Sequence, residues 1–137
     1  VTNGCVSQEP ARDVLVYTDA VNVDLKAWDA AWYNEELGGE RDTVCAFIRT
    51  AVELGVHVEV TTLVVPGKND SDGDIDAIAS FLAGLDREIP YHLSAYRPMY
   101  KYSVPPTPSE TLFRLEKVAK RHLAHVHLGN LGLARRA

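Results

Sequence analysis

Four short segments are rich in apolar and β-branched residues, and in the first three of them apolar and polar residues alternate; this pattern predicts four strands. Stretches with apolar residues at helical spacing separate them, for example between Thr43 and Leu54. Strands and helices that alternate at intervals of roughly 30–40 residues are typical of βαβ units in a parallel sheet. The predicted strands are Asp19–Leu25, Val56–Val65, Tyr91–Tyr96 and Leu123–Leu128, and a shorter helix is predicted from Pro10 to Val16.

Two further helices have recognisable start signals. Ser71, with an aspartate three residues later, resembles an N-cap with an acidic third position. Thr107, Pro108 and Glu110 fit an N-cap threonine, a proline at the first helical position and a capping-box glutamate. We therefore predict one helix after Ser71 and another whose N-cap is Thr107.

The length of the chain limits the number of βα units. A closed barrel of eight units needs about 250 residues, and this chain has 137. Nothing along the sequence indicates a linker or an internal repeat. We therefore predict a single α/β domain over residues 1–137, either a compact open sheet or part of a TIM-type barrel with about four βα units.

The predicted strands are not continuously apolar, as strands covered by helices on both faces usually are. Side chains alternate across a strand, so the valines of the first strand lie opposite Asn22, Asp24 and Lys26. The second and third strands show the same alternation. If helices cover the apolar faces, the polar faces line one shared concave side, which must be wet or filled by a polar ligand. An antiparallel or edge-exposed sheet with one solvated face would give the same pattern.

Ligands of parallel sheets bind at the carboxyl ends of the strands. Lys26, Thr61 and Tyr96 are expected near those ends. Glu59 is predicted to point to the same side as Thr61 because the two residues are two positions apart. These polar residues are therefore candidates for contact with a ligand.

Composition narrows the range of partners. Fourteen Lys and Arg against nineteen Asp and Glu give a net charge of −5, which disfavours nucleic-acid binding. No apolar run approaches the roughly 20 residues that cross a bilayer, and no leader pattern opens the chain. We therefore expect no membrane partner and a cytoplasmic location. The basic residues near the C-terminus are interpreted as a solvated face; they are Lys117, Lys120, Arg121, Arg135 and Arg136.

The order and spacing of four segments resemble the later strands of the radical S-adenosylmethionine (SAM) barrel. The similar branch contains the pyruvate formate-lyase activating enzymes and the AmmeMemoRadiSam-system radical SAM enzyme, and the resemblance covers nearly the whole chain. The four segments are Val1–Gly4, Val23–Lys26, Glu59–Gly67 and Leu93–Pro98. The resemblance to the AmmeMemoRadiSam-system enzyme is particularly clear in Gly55–Ser71, Pro105–Pro108 and Leu128–Asn130.

The resemblance implies a partial (β/α)6 barrel that holds a [4Fe-4S] cluster and SAM. It implies reductive cleavage of SAM to a 5′-deoxyadenosyl radical, which abstracts hydrogen from a protein or small-molecule substrate. Glycyl-radical activation is one such reaction. It also implies an electron donor such as flavodoxin or ferredoxin.

The resemblance also implies roles for individual residues. Asn3, Asp24 and Lys26 would contact SAM or its surroundings, since a lysine ammonium suits the methionyl carboxylate of SAM. Asp24 would face the ammonium or sulfonium of SAM or a bound cation. A structural ion pair between Asp24 and Lys26 is the alternative. The complete set of candidate cofactor-binding residues is Asn3, Asp24, Lys26, Glu59, Thr61 and Tyr96.

The chain departs from the family pattern in several places. Val1 stands where glycyl-radical activating enzymes often carry an Asp, and Thr61 stands roughly where they place an Arg. The family's Cys-x-x-x-Cys-x-x-Cys loop and its Gly-Gly-Glu segment have no counterpart here. Cys5 and Cys45 are two cysteines forty positions apart and do not supply three thiolates for a cluster. His125 and His127 share one face of the last strand without a visible third metal ligand, so no metal site is predicted.

We therefore expect the chain to be the C-terminal half to two thirds of a radical SAM barrel, inactive alone. The chain opens at Val1 and its only methionine is Met99, which fits a processed or truncated piece or a partial gene product. The alternative is a non-catalytic α/β domain that binds a small polar ligand, or a degenerate scaffold that has lost its cluster. An upstream Cys-x-x-x-Cys-x-x-Cys would favour the enzyme.

Overall fold

The fold is described from a computed structural model, which covers residues 1–132; Arg135 and Arg136 lie outside the described residues. Four parallel strands form one sheet in the order β1-β2-β3-β4. The predicted α/β architecture with a parallel sheet is therefore confirmed. The strands are β1 (Ala20–Asp24), β2 (His57–Val64), β3 (Tyr91–Ala95) and β4 (Val126–Gly129), and the helices are α1 (Gln8–Leu15), α2 (Ala30–Glu35), α3 (Arg41–Glu53), α4 (Asp72–Leu85) and α5 (Ser109–Ala119).

The apolar side chains of the strands pack into one core with the helices. Val23, Val60 and Leu93 are completely buried there. Sequential parallel strands joined by right-handed crossovers place their helices on one face of the sheet. The polar side chains that alternate with the core residues, such as Asp24 and Glu59, are only half-buried on the other face. The alternation therefore separates a helix-covered face from a polar face, as predicted.

The start signals of the helices were right in one case and wrong in the other. Ser71 is the N-cap of α4, and its Oγ accepts a hydrogen bond from the backbone N–H of Asp74 at 3.1 Å. The prediction for Thr107 is wrong, because α5 begins at Ser109 with Pro108 as its N-cap. The Thr107 hydroxyl is buried and bonds instead to the backbone at the ends of β2 and β3.

Two elements were not predicted from the sequence. The short helix α2 begins after Asp29, whose side chain accepts a hydrogen bond from Trp32 N–H at 2.9 Å. Thr2 forms a parallel bridge beside β1, donating to the Asn22 carbonyl and accepting from the Asp24 N–H. The residues before α1 thus extend the sheet locally. Within residues 1–132, every helix is too short or too polar to cross a membrane.

Candidate functional site

A cavity of about 280 Å³ opens at the carboxyl edge of the sheet. Lys26 follows β1, Leu63 and Val65 lie at the end of β2, and Tyr96 follows β3. Ligands in parallel α/β sheets bind at this edge. The cavity is therefore the candidate site, and its walls are formed by Lys26, Trp32, Glu36, Leu37, Leu63, Val65, Tyr96 and Tyr102.

Lys26 forms an ion pair with Asp24 beside the cavity. Its Nζ lies 3.0 Å from Asp24 Oδ2, and the two side chains are 38% and 34% exposed. The two residues are two positions apart and therefore lie on the same face of the chain. The ion pair expected as the alternative to ligand binding is thus present. At this exposure the pair contributes roughly 0–1 kcal/mol and can be exchanged for a ligand at little cost.

The backbone around Lys26 is held by buried side chains beyond the point where the ladder to β2 ends. The Lys26 N–H donates to the Tyr33 hydroxyl at 3.0 Å, and the Lys26 carbonyl accepts from Asn69 Nδ2 at 2.6 Å. The neighbouring Leu25 carbonyl accepts from the Thr62 hydroxyl at 2.6 Å. Burial raises the pKa of Tyr33 to about 12, so its hydroxyl stays neutral at physiological pH. Lys26 therefore projects from a fixed main chain.

Asn69 connects this segment to the turn that follows β2. Its side chain donates to the Leu63 carbonyl at 2.8 Å and accepts from the Val65 N–H at 2.7 Å, in addition to its bond to Lys26. The turn itself requires glycine, because Gly67 has a φ of +75°. The ends of β1 and β2 are thus joined through a single buried amide.

Aromatic residues form much of the cavity wall. Tyr96 donates its hydroxyl to the Tyr102 carbonyl at 2.9 Å, and the two rings meet edge to face at 5.7 Å. Trp32 Nε1 is buried and makes no hydrogen bond of ordinary geometry. The pKa of Glu36 is lowered, mainly by its hydrogen bond with Lys68 and to a smaller extent by the nearby Trp32 N–H. Lys68 Nζ lies 2.6 Å from Glu36 Oε1 and fixes the wall that α2 supplies.

A second polar cluster lies on the same sheet face, nearer the amino ends of the strands. Glu59 contacts His57 Nε2 at 3.2 Å and His92 Nε2 at 2.7 Å. These hydrogen bonds, that of His57 first, lower the pKa of Glu59. The His92 ring stacks on His127 at 5.1 Å between centroids. The cluster is a hydrogen-bonded row across three strands.

The structure brings only some of the predicted site residues together. Lys26 and Tyr96 line the cavity, and Asp24 is paired to Lys26. Thr61 lies within β2, opposite Asp24 in register, and donates to Asn22 Oδ1 at 2.8 Å instead of reaching the strand end.

The other two candidates make different local contacts. Glu59 lines a separate cavity of about 170 Å³. Asn3 Oδ1 accepts the Cys5 N–H at 3.0 Å and so closes its own turn. Neither residue lines the 280 Å³ cavity.

The two cysteines do not fit an iron–sulfur cluster. Cys5 is exposed, whereas Cys45 is buried on α3. Burial raises the pKa of Cys45 to about 11, which disfavours the thiolate that iron requires. Over residues 1–132, no group of three or more His, Cys, Asp or Glu side chains is arranged to hold a metal ion. His125, considered above as a ligand, instead contacts Glu88 at 2.9 Å.

Sequence reasoning missed several residues of the site. Asn69 follows a Pro-Gly turn, where asparagine side chains often bond to nearby backbone, and this was the available signal. Tyr33 and Trp32 lie on α2, and Tyr102 lies in the loop after β3. Their contacts depend on long-range packing that alternation along a strand does not reveal.

The fold and the cavity together define an α/β domain with a candidate ligand site at the carboxyl edge of a parallel sheet. No family model matches the sequence. An uncharacterized protein of Methanocaldococcus jannaschii is 38% identical over 134 residues, covering 96% of this chain and 39% of that protein. The benzylsuccinate synthase activating enzyme of Thauera aromatica is 33% identical, covering 90% of this chain and 42% of the enzyme. The isethionate sulfite-lyase activating enzyme of Nitratidesulfovibrio vulgaris is 30% identical, covering 85% of this chain and 42% of the enzyme.

Solved structures show the same fold. A domain of a pyruvate-formate lyase-activating enzyme from Bacteroides vulgatus superposes with a TM-score of 0.81 at 19% identity, covering 95% of this chain and 80% of that domain. Streptococcus suis SuiB gives a TM-score of 0.72 at 15% identity, covering 98% of this chain and 34% of SuiB. The predicted resemblance to radical SAM activating enzymes is confirmed: the chain is homologous to a segment of such enzymes. It spans about two fifths of the length of the curated relatives it matches.

Proposed function

We propose that this chain is the part of a radical SAM enzyme that supplies strands facing SAM. The observation that carries the proposal is the position of Lys26, at the rim of the 280 Å³ cavity on the carboxyl edge of the sheet. The chemistry that SAM supplies in such enzymes is hydrogen abstraction through a 5′-deoxyadenosyl radical. The role of this chain is to bind and orient SAM.

Lys26 and Asp24 fit the charged end of SAM. A lysine ammonium is a compact point charge that pairs well with a carboxylate. Among residues 1–132 the Lys26 ammonium pairs with Asp24, and its side chain is more than a third exposed, so it can take up the methionyl carboxylate. The Asp24 carboxylate then lies close enough to face the ammonium or sulfonium of the same ligand. The charges of the pair thus complement a zwitterionic ligand.

The cavity beside Lys26 fits the nucleoside part of SAM. Its volume of about 280 Å³ is close to the lower end, roughly 300 Å³, of typical ligand pockets. Leu63 and the aromatic rings of Tyr96 and Tyr102 offer apolar surface to a purine ring. An aromatic ring stacked or packed edge-on in such a wall gains roughly 0.5–1.5 kcal/mol beyond the burial of its area.

The residues of this chain do not fit the cluster, so we assign no redox step to them. We propose that the cluster is bound by another part of the parent protein and that this chain alone is inactive. The substrate, the electron donor and any glycyl-radical product belong to that whole enzyme. Its substrate class and its relation to the AmmeMemoRadiSam branch follow from the resemblance and stay predictions.

A titration of the isotope-labelled chain with SAM, followed by NMR, tests the proposal. Lys26→Met should weaken SAM binding by about 1–2 kcal/mol, or roughly tenfold, because a charged hydrogen bond is lost. Lys117→Met removes the same charge from an exposed position on α5 and should leave the affinity unchanged. An equal affinity in the wild type and Lys26→Met, or no binding of SAM, would refute the proposal.

A non-catalytic domain that binds a small polar ligand is the second candidate. The observation that favours it is the misfit of Cys5 and Cys45 to a cluster, together with the open polar sheet face. The parent gene separates the two candidates. An upstream Cys-x-x-x-Cys-x-x-Cys segment in the same reading frame supports the enzyme, and a start codon directly before Val1 supports the binding domain.

A further inference from the structure

We propose that Asn69 is a positioning residue that orients Lys26 for the carboxylate of the ligand. This inference rests on the function proposed above. Asn69 is 0% exposed and touches neither the solvent nor the 280 Å³ cavity. It therefore acts on a ligand only through the residues that it holds.

Three of the four hydrogen-bonding positions of the Asn69 side chain are used. Its amide nitrogen offers two donors, which reach the carbonyls of Lys26 at 2.6 Å and Leu63 at 2.8 Å. Its oxygen accepts the Val65 N–H at 2.7 Å. Any other arrangement of this buried amide would break one of these bonds and leave buried polar groups unpaired.

The hydrogen bond from Asn69 to the Lys26 carbonyl holds the chain just beyond the point where backbone pairing between β1 and β2 ends. The last backbone bond between this segment and β2 runs from the Leu25 N–H to the Thr61 carbonyl at 3.1 Å. Beyond it, the Lys26 N–H is held by Tyr33 and the Lys26 carbonyl by Asn69. The peptide groups on both sides of the Lys26 Cα are thus fixed, and this fixes the direction in which the side chain leaves the sheet.

The same turn also holds another part of the cavity wall. Lys68, the residue before Asn69, pairs with Glu36 at the end of α2 at 2.6 Å. The Val65–Asn69 turn therefore supports both Lys26 and the part of the wall that α2 supplies. Binding sites lose affinity when such supporting contacts are loosened by as little as 1 Å.

Two ligands distinguish positioning of Lys26 from a general loss of structure. SAM carries the carboxylate that Lys26 would bind, and decarboxylated SAM lacks it. In Asn69→Ala, we expect SAM to bind the full chain about tenfold more weakly, with less than threefold change for decarboxylated SAM. Thr50→Val is the matched control and should change neither affinity; it removes a buried hydroxyl on α3 that donates to Gln8 of α1 and to the Ala46 carbonyl of α3.

A double-mutant cycle tests whether Asn69 acts through Lys26. In the Lys26→Met background, Asn69→Ala should cause no further loss of SAM affinity, because coupled residues are not additive. An equal loss for both ligands, or the same loss in the Lys26→Met background, would overturn the positioning role. Asn69→Ser, which puts one hydroxyl in place of the amide and so retains some hydrogen-bonding capacity, provides the same comparison if Asn69→Ala does not fold.

Amide hydrogen exchange gives a readout that needs no ligand. Asn69→Ala and Asn69→Ser should accelerate exchange of the Lys26 amide at least tenfold relative to that of Ile48, which lies in the core of α3. Thr50→Val should leave this ratio unchanged. A constant ratio would overturn the inference. A failure of the proposed function gives a different result. In that case Lys26→Met does not change SAM binding, while substitution of Asn69 still accelerates exchange of the Lys26 amide.

Discussion

The Glu59 carboxylate and the His92 imidazole lie 2.7 Å apart, on the adjacent strands β2 and β3 and on the polar face of the sheet. The other Glu59 oxygen contacts His57 at 3.2 Å, so one carboxylate serves two imidazoles. Both contacts lower the pKa of Glu59, the one from His57 more strongly. The charge on this face is therefore organised by one contact within β2 and one between β2 and β3.

The lowered pKa of Glu59 makes stability depend on pH. A carboxyl whose pKa is lower in the folded state stabilises the fold above its unfolded pKa, here near 4.5, and loses this effect as the pH falls through the folded value. Glu59→Gln removes the contribution. The difference in unfolding free energy between the wild type and Glu59→Gln should therefore shrink as the pH falls below the unfolded value of 4.5. Urea unfolding measures it, and a constant difference would show that the pKa of Glu59 is not lowered by folding.

Tyr33 should contribute to stability through its hydroxyl. Tyr33→Phe leaves the partly buried Lys26 N–H without its 3.0 Å acceptor, and we expect a loss of about 1 kcal/mol in unfolding free energy. Tyr17 is 89% exposed, so Tyr17→Phe is the matched control and should have no effect. Chemical denaturation of the three proteins makes the comparison, and equal stability of Tyr33→Phe and the control would mean that water replaces the hydroxyl.

Gly129 on β4 lies beside Ser94 on β3, which leaves little room for a larger side chain. A Cβ at this position would lie 2.7 Å from Ser94 Oγ, too close for an ordinary contact. Gly129→Ala should therefore destabilise the fold by about 1 kcal/mol, the low end of the cost of overpacking, because the Ser94 hydroxyl can rotate away. Gly84→Ala is the control, because a Cβ at Gly84 in α4 meets nothing within 4 Å and should leave stability unchanged or higher.

The cause of the Gly129 effect can be isolated. Ser94→Ala removes the oxygen that clashes, and the remaining contact with Ser94 Cβ, at 3.6 Å, is ordinary. Combining Gly129→Ala with Ser94→Ala should therefore recover most of the lost stability, as thermal unfolding would show. If the double variant is as unstable as Gly129→Ala, the cost arises from the backbone of β4 and not from Ser94.

The sheet could be predicted from the sequence because its signal is local. Alternation of valines with Asn22, Asp24 and Lys26 reports directly which side chains share a face. Burial of one set then follows from the hydrophobic effect. The position of Lys26 at the carboxyl edge of a parallel sheet needed only this pattern and the order of the elements.

The support of the site could not be predicted, because it depends on distant partners. Asn69 bonds to Lys26, 43 residues earlier in the chain. Thr107 fitted an N-cap by its local sequence, yet its hydroxyl bonds to Val64, also 43 residues away, and to Tyr96. A short polar side chain has several partners available in sequence, and only the packed structure selects among them.

The cysteines should differ sharply in reactivity. A thiol reacts as its thiolate, and burial raises the pKa of Cys45 to about 11, whereas Cys5 is exposed. Iodoacetamide at about pH 8 should therefore modify Cys5 in the folded chain and leave Cys45 intact, with both modified in urea. Mass spectrometry of the peptides assigns the sites, and Cys5→Ser should abolish labelling of the folded protein. Rapid labelling of Cys45 in folded Cys5→Ser would show that α3 opens readily, and would remove the argument that this thiol is unsuited to iron.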